Sequence, residues 1–177
     1  HGSFATTGNG HGTDKALIAG LLGMKPDDIR IPNSFEIAQK KGIVFSFETK
    51  TVKDAHPNTA ILSLIGKTGK KVEMQASSIG GGRIMLNKLD GIDVNFSADR
   101  PTLVVHNIDM PGHVAKVASM LYELKVNIAT MQLYRSKRGG DAVMVMELDQ
   151  AISLDVVSWV EKQQGITKVT YIDMQEA

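Results

Sequence analysis

The chain lacks cysteine entirely and is poor in aromatic side chains, with one Trp, three Tyr and five Phe among 177 residues. Without thiols it forms no disulfides and binds neither zinc nor an iron–sulfur cluster through its own thiolates. No apolar run is long enough to cross a bilayer and no signal-peptide pattern opens the chain, so we expect a cytoplasmic protein with no membrane partner. The formal net charge is only +1, from 20 basic and 19 acidic residues, which provides no footprint for nucleic acid. The first residue is His1 rather than Met, which predicts a fragment or a processed form.

The first half of the sequence predicts helices followed by antiparallel strands. Apolar residues three and four positions apart predict a helix over residues 13–22, and a second helix follows over about residues 34–41. Alternating apolar residues predict a half-buried strand over residues 43–50. Two hairpins come next, one around residues 67–70 and one around Asp90–Gly91, a dipeptide typical of a type I′ turn. This succession indicates an α+β layer.

A polar stretch that ends in proline, residues 97–101, separates this half from a second pattern. We therefore predict one domain over residues 1–98 and another over residues 101–177. The second pattern runs strand, helix, strand, strand, helix, strand, and each boundary carries a turn or capping signal. That order is βαββαβ, the ferredoxin-like split βαβ, so the fold class is α+β in both halves.

Two motifs of the second half are HNIDMPG, residues 106–112, and KVNIATMQ, residues 125–132. Together they resemble the ACT domain, a small-molecule sensor that most often binds amino acids and pairs side by side into a dimer. A loop that feeds a helix N-terminus offers free N–H groups to a carboxylate, and an asparagine carbonyl can accept from an ammonium group. The resemblance implies ligand contacts from Asn107, Asp109, Gly112, Asn127 and Ile128. The alternative is that the loop is only a turn and helix cap, and that the domain binds nothing and merely dimerises.

Three glycine-marked segments of the first half carry further polar candidates: GNGHGTD (8–14), DAHPNTA (54–60) and SSIGGG (77–82). Each alone is typical of a turn. Together they predict one site, in which glycine lets the backbone approach a ligand and the helix that begins at Thr13 directs its N-terminus at an anion. They contain neither G-x-G-x-x-G nor the Lys-Ser/Thr ending of a P-loop, so they do not predict a nucleotide site.

The segments GSFATTGNGHGTDKALIAGLLG, RIPNSFEIAQKKGI, HPNTA and SSIGGGRI, followed by the ACT pattern, resemble the β chain of bacterial iron–sulfur L-serine dehydratase over essentially the whole length. The first half is also similar to the allosteric-substrate-binding-type domain of some D-3-phosphoglycerate dehydrogenases, where that domain is regulatory. The resemblance implies elimination of ammonia from L-serine to give pyruvate, with a [4Fe–4S] cluster as the Lewis acid. It also implies that a separate α chain or domain holds the cluster, which agrees with the absence of cysteine. We therefore predict no metal site on this chain and no activity without the α chain.

The same resemblance implies the residue roles. His11 would be the base that removes the α-proton, while His56 and Asn58 would hold or protonate substrate groups. Imidazole suits such work because its ordinary pKa lies near neutral pH. The family also has an upstream Ser-Ser-Ser-His-Thr segment that lines the site, and this sequence begins after the position expected for it. The expected substrate-binding residues are Gly10, Thr13, Asp14, Ser78, Gly80 and Gly81.

A second interpretation is an amino-acid-sensing regulatory module, an ACT domain joined to an effector-binding domain, without catalytic residues of its own. Such a module needs cations and amides to bind an anion, but it needs no proton-transferring histidine. His11 and His56 both lie in dehydratase-type motifs, which favours the enzyme subunit. The expected partners are then the cluster-bearing α chain, L-serine, and a second copy bound through the ACT domain.

Overall fold

The structure, a computed structural model, describes residues 1–97 and 99–173 and contains two four-stranded antiparallel sheets with helices packed on them. The predicted α+β class is confirmed. Position 98, at the predicted domain boundary, and residues 174–177, at the end of the predicted last strand, lie outside the described residues. The boundaries 1–98 and 101–177 stay a prediction. Among the described residues, no helix is both long and apolar enough to cross a membrane.

The first half forms three helices and then the first sheet. Both predicted helices and both predicted hairpins are confirmed, but the first helix was not predicted, because its sequence contains three glycines, which disfavour helix. The four strands pair in chain order. The elements are α1 (Gly2–His11), α2 (Thr13–Leu21), α3 (Ser34–Lys40), β1 (Thr59–Ile65), β2 (Lys71–Gly80), β3 (Arg83–Leu89) and β4 (Ile92–Phe96).

Two tight turns of this sheet depend on positive φ angles. Asp90 and Gly91 have φ of 48° and 81° and join β3 to β4 in the predicted type I′ geometry. Gly80 pairs with Arg83, so the two residues between them, with φ of 62° and 74°, form the β2–β3 turn. Glycine adopts these angles at low cost, and the backbone of the hairpin is therefore sufficient to explain the SSIGGG glycines.

The strand predicted over residues 43–50 is wrong, because these residues lie in no ladder of the described structure. The alternation of exposure is nevertheless present: Phe45 is half-buried, whereas Val44 is 97% exposed. The Phe45 ring packs against Phe35 of α3 and against Phe47, with centroids 5.0 and 5.9 Å away. The period of two in the sequence thus reflects aromatic packing onto a helix rather than strand pairing.

The second half has the predicted βαββαβ order and forms a sheet of strand order β6-β7-β5-β8, in which every pair is antiparallel. Helix α4 buries Val117 and Leu121 against this sheet. The elements are β5 (Thr102–Ile108), α4 (His113–Glu123), β6 (Ile128–Arg135), β7 (Asp141–Leu148), α5 (Leu154–Glu161) and β8 (Ile166–Ile172).

The central strands β5 and β7 are buried on both faces. One face packs on α4 and α5, and the other packs on β3 and β4 of the first sheet. The two sheets therefore share a hydrophobic core, which removes apolar surface of both halves from water. The buried residues of this shared core are Leu86, Leu89, Val94, Phe96, Val104, Val143 and Val145.

A polar cluster also joins the two sheets beside this core. The Nε2 atom of His106 on β5 lies 3.3 Å from a carboxylate oxygen of Asp90, and the ammonium of Lys168 on β8 donates to the same oxygen. Lys168 donates as well to the backbone carbonyl of Lys71 on β2, at 2.6 Å. Burial lowers the pKa of His106, although the nearby Asp90 opposes this. His106 is therefore neutral at neutral pH and serves to pack the two sheets together.

Candidate functional site

The segment His56–Pro57–Asn58 leads into β1 and holds one histidine ring in a defined orientation. The backbone N–H of Asn58 donates to Nδ1 of His56 at 3.1 Å. Since Nδ1 accepts this hydrogen bond, the neutral ring carries its proton on Nε2. His56 is an exposed residue, so the ring offers a hydrogen-bond donor on the surface of the first sheet.

The neighbouring strand β2 brings the SSIGGG segment to the same edge. The backbone N–H of Ser78 donates to the carbonyl of Asn58 at 2.9 Å. Gly80 and Gly81 follow at the exposed tip of the hairpin, and a Cβ at either would meet no other atom of the described structure within 4 Å. Two of the three glycine-marked segments therefore adjoin, and the space around the glycines is open.

The register of β1 and β2 also pairs two polar residues that sequence reasoning had missed. Thr59 lies directly opposite Ser77, and the two side chains are buried, with 0% and 2% exposure. In the sequence, Thr59 follows the His56–Asn58 segment and Ser77 begins the SSIGGG segment, each at an inward-facing position of its strand. That signal becomes readable only when the register of the two strands is known.

The third segment ends α1, and its histidine is remote from the other two segments. Gly12 takes the left-handed conformation, with φ of 70°, and separates His11 from α2. The opposite end of α1 touches the His56 segment, because a Cβ at Gly2 would lie 2.3 Å from the carbonyl oxygen of Pro57. A helix rises about 1.5 Å per residue, so His11 lies about 14 Å along α1 from that contact. Both Gly10 and His11 are exposed.

Thr13 and Asp14 begin α2 and border a cleft. The carboxylate of Asp14 accepts from the backbone N–H of Lys15 at 2.8 Å, as expected of an acid in the first turn of a helix. Together with Thr59 and residues 46–49, both side chains line a cleft of ≈ 290 Å³. The residues that line it include neither His11 nor His56. Asp14 therefore stabilises the start of its own helix, and neither histidine is among the residues that line the cleft it borders.

In the second half, the loop after β5 is held by its acidic residue. The carboxylate of Asp109 accepts from the N–H of Gly139 at 3.0 Å and from the guanidinium of Arg135 at 3.1 Å. These contacts, the first above all, lower the pKa of Asp109. Gly112, with φ of 100°, then begins α4, while Asn107 is buried and its amide donates to a neighbouring backbone carbonyl. The loop is therefore ordered by the chain's own contacts.

The other two positions expected from the ACT resemblance lie elsewhere. Asn127 is exposed and donates through its side chain to the carboxylate of Asp149 at 2.6 Å, and Ile128 begins β6.

The ladders place these two positions at the end of the sheet where β5 starts, whereas Asn107 and Asp109 stand where β5 ends. Seven strand residues span about 20 Å. One copy of the chain therefore does not bring the two sets into contact.

A further cavity among the described residues lies apart from the predicted residues. The apolar groove between α4 and α5, of ≈ 590 Å³, has Met120, Leu124 and Trp159 among its lining residues and none of the predicted site positions. Within residues 1–97 and 99–173, no group of three or more His, Asp or Glu side chains is arranged to hold a metal ion. The absence of a metal site on this chain stays a prediction.

Comparison with known proteins links the chain to one enzyme family. A family model described as "Serine dehydratase beta chain" matches residues 1–41. The chain is 39% identical over 173 residues to the probable L-serine dehydratase, beta chain, of Bacillus subtilis, which covers 97% of this chain and 78% of that protein. It is 31% identical over 175 residues to the L-serine dehydratase, beta chain, of Peptoniphilus asaccharolyticus, covering 98% and 79%.

The chain is also similar to part of a longer enzyme. It is 26% identical over 161 residues to the D-3-phosphoglycerate dehydrogenase of Methanocaldococcus jannaschii, covering 90% of this chain but 30% of that protein. The similarity to the two β chains therefore extends over most of this chain and most of each β chain. The similarity to the dehydrogenase is confined to about a third of that enzyme.

Proposed function

The chain belongs to the family of serine dehydratase β chains and is a subunit of an L-serine ammonia-lyase, and we propose that it supplies this reaction with proton-transferring and substrate-binding side chains. The reaction removes the α-proton and the β-hydroxyl of L-serine as water, and the resulting aminoacrylate hydrolyses to pyruvate and ammonia. The observation that carries the proposal is the ring of the exposed residue His56, whose Nδ1 accepts from the Asn58 N–H and whose Nε2 is therefore a donor when the ring is neutral.

The ring orientation supports a division of labour between the two histidines. His56, with its proton on Nε2, donates to the substrate carboxylate or to the departing hydroxyl, and the Asn58 amide and Ser78 assist in binding. His11 takes the α-proton from the other side of the substrate. His11 lies about 14 Å along α1 from the contact of Gly2 with Pro57, a length that two imidazole side chains and a small amino acid can span together.

The residues at the tip of the hairpin and at the helix junction complete the proposed pocket. Gly80, Gly81 and Gly10 leave open space for a substrate or for the partner chain, because a Cβ at these positions would meet no described residue within 4 Å apart from its own chain neighbours and local helix backbone. Thr13 and Asp14 border the adjacent cleft. We assign to them a role in closing the pocket rather than in proton transfer.

The iron–sulfur cluster implied by the family does not fit the residues of this chain. The 177 residues include no cysteine, and the described residues hold no three-member group for a metal. We therefore assign a [4Fe–4S] cluster to the α chain. The steps assigned to the present chain are substrate binding and proton transfer only.

Reconstitution with the α chain tests this proposal. We expect pyruvate formation when the full-length β chain that contains these residues is mixed anaerobically with the cluster-bearing α chain, and none with either chain alone. The measurement is the steady-state rate of pyruvate release from L-serine. If the α chain alone has full turnover, and adding this chain changes only the response to serine concentration, then the chain is the regulatory module instead.

For the second half we propose an ACT-type amino-acid site that two copies complete. Strand β6 is at the edge of its sheet, and its Met131 and Leu133 side chains are 38% and 50% exposed. Antiparallel pairing of two β6 strands would bring Asn127 of one copy beside the Arg135 end of the other, where Asp109 lies. The two sets of residues that are apart in one copy would then face each other across the dimer.

The variant Asn127→Ala tests the composite site. We expect it to weaken the binding of L-serine to this half at least about tenfold, because a hydrogen bond to a charged group contributes about 1.5–3 kcal/mol. Titration calorimetry measures the affinity, and sedimentation measures the dimer. Asn95→Ala, an exposed asparagine on β4, is the matched control. Unchanged affinity and an unchanged dimer in Asn127→Ala would make this half purely structural.

A further inference from the structure

Three polar side chains on adjacent strands form a connected row beneath His56. Thr59 on β1 donates to the backbone carbonyl of His56 at 2.6 Å, and its hydroxyl is 2.8 Å from that of Ser77 on β2. The Ser77 hydroxyl is in turn 2.6 Å from Asn87 on β3, and the atom of the Asn87 amide that faces it in the structure is Oδ1. Thr59 and Ser77 are buried, so each of these groups needs a partner within the protein.

Counting protons determines the direction of this row. Each hydroxyl has a single proton to donate. Thr59 uses its proton on the His56 carbonyl, so the contact between the hydroxyls takes the proton of Ser77. The contact between Ser77 and Asn87 then needs a donor from Asn87, and only Nδ2 of the amide can provide one.

The amide orientation of an asparagine is set by its hydrogen-bond network, because its oxygen and nitrogen have nearly the same shape. All three contacts are satisfied together when Asn87 turns Nδ2, rather than Oδ1, toward Ser77. The row is then a one-way chain of donors from Asn87 through Ser77 and Thr59 to the His56 carbonyl. Hydrogen bonds that point the same way polarise and strengthen one another.

The row of hydrogen bonds ends at His56, which already accepts a hydrogen bond through its ring. The ring of His56 accepts from the Asn58 N–H, and its carbonyl accepts from Thr59. The two bonds together fix both the backbone at His56 and the ring nitrogen that carries the proton. Neither Thr59 nor Ser77 is exposed enough to touch a substrate itself.

We propose that Thr59 and Ser77, oriented by Asn87, are positioning residues that hold His56 with its Nε2–H directed outward for the dehydratase reaction. This inference rests on the proposed role of His56. A purely structural role would instead require only that the buried hydroxyls be paired, without any effect on the ring.

The variant Thr59→Val removes the hydroxyl and keeps the branched shape that suits a strand. We expect kcat of the reconstituted enzyme to fall about tenfold, as one lost hydrogen bond predicts, with little change in KM. Thr59→Ser, which restores the hydroxyl, should return kcat to within about twofold of the parent. Ser63→Ala is the control, since Ser63 lies on the same strand pair with its exposed hydroxyl 3.4 Å from Glu73, and it should leave kcat unchanged.

A second readout needs no partner chain. Nitrogen-15 NMR of the histidine rings should show His56 as the Nε2–H tautomer in the parent and in Thr59→Ser, and as a mixture of tautomers in Thr59→Val and Ser77→Ala. Thermal unfolding of the same samples verifies that they fold.

The inference is overturned if Thr59→Val keeps both the Nε2–H tautomer and full turnover, or if Thr59→Ser loses as much turnover as Thr59→Val. Failure of the proposed function would look different. In that case His56→Ala would keep full turnover, while the tautomer measurement would still decide whether Thr59 positions the ring.

Discussion

Replacing His11 with alanine is expected to lower turnover of the reconstituted dehydratase by at least about 100-fold, the usual contribution of a general base. His11 ends α1 between two glycines and is exposed, so removal of its ring should leave the fold intact. The rate of pyruvate release measures the loss. L-serine deuterated at the α-carbon provides a second measurement. The deuterium isotope effect on kcat should be larger in His11→Ala than in the parent, because proton removal then limits the rate.

His113→Ala is the matched control for this variant, because His113 begins α4 of the other half and packs against Gly165. It should keep turnover near that of the parent. His56→Ala should lower kcat and raise KM, since the donor both holds and protonates the substrate. If His11→Ala kept full turnover while His56→Ala lost it, His11 would be only the end of a helix and the base would have to come from elsewhere.

Replacing Phe96 with alanine is expected to reduce the free energy of unfolding by about 3–5 kcal/mol. Phe96 is 3% exposed and belongs to the core between the two sheets, which includes Val104 and Val143. The truncation leaves a cavity that neither sheet can easily fill, because both backbones are held by their ladders. Denaturant unfolding followed by circular dichroism measures the change.

The control for Phe96→Ala is Phe47→Ala. Phe47 is 49% exposed and packs against Phe35 and Phe45, so its loss should reduce the free energy of unfolding clearly less. Equal losses in the two variants would contradict the shared core. The same core predicts one cooperative transition for both sheets, and two separate transitions of the parent chain would also contradict it.

Much of the fold was predictable because the signals are local. The Asp90–Gly91 turn needs two positive φ angles, and this dipeptide supplies them wherever it occurs between strands. The βαββαβ order followed in the same way from turns and caps that lie next to one another in the chain. Prediction failed at α1, where three glycines lower the intrinsic preference for helix, and at residues 43–50, where aromatic packing imitates the period of a strand.

The candidate site was likewise predictable only where its residues lie in local motifs. Motifs identified His11, His56 and Asn58 as candidates, but no motif shows that Ser78 bonds to Asn58, or that α1 begins beside Pro57 and ends at His11. The Thr59–Ser77–Asn87 row was not predicted, because it exists only across three strands in one particular register.

By itself, then, the sequence determined the fold class, the hairpin turns, the order of elements in the second half and the family resemblance. Each of these depends on neighbouring residues or on motifs that can be read in order. Only the tertiary structure decided that the two sheets share a core, that Asn107 and Asn127 stand at opposite ends of one sheet, and that the row of Thr59, Ser77 and Asn87 contacts the carbonyl of His56. Those features depend on strand register and on packing between residues distant in sequence, which no local pattern encodes.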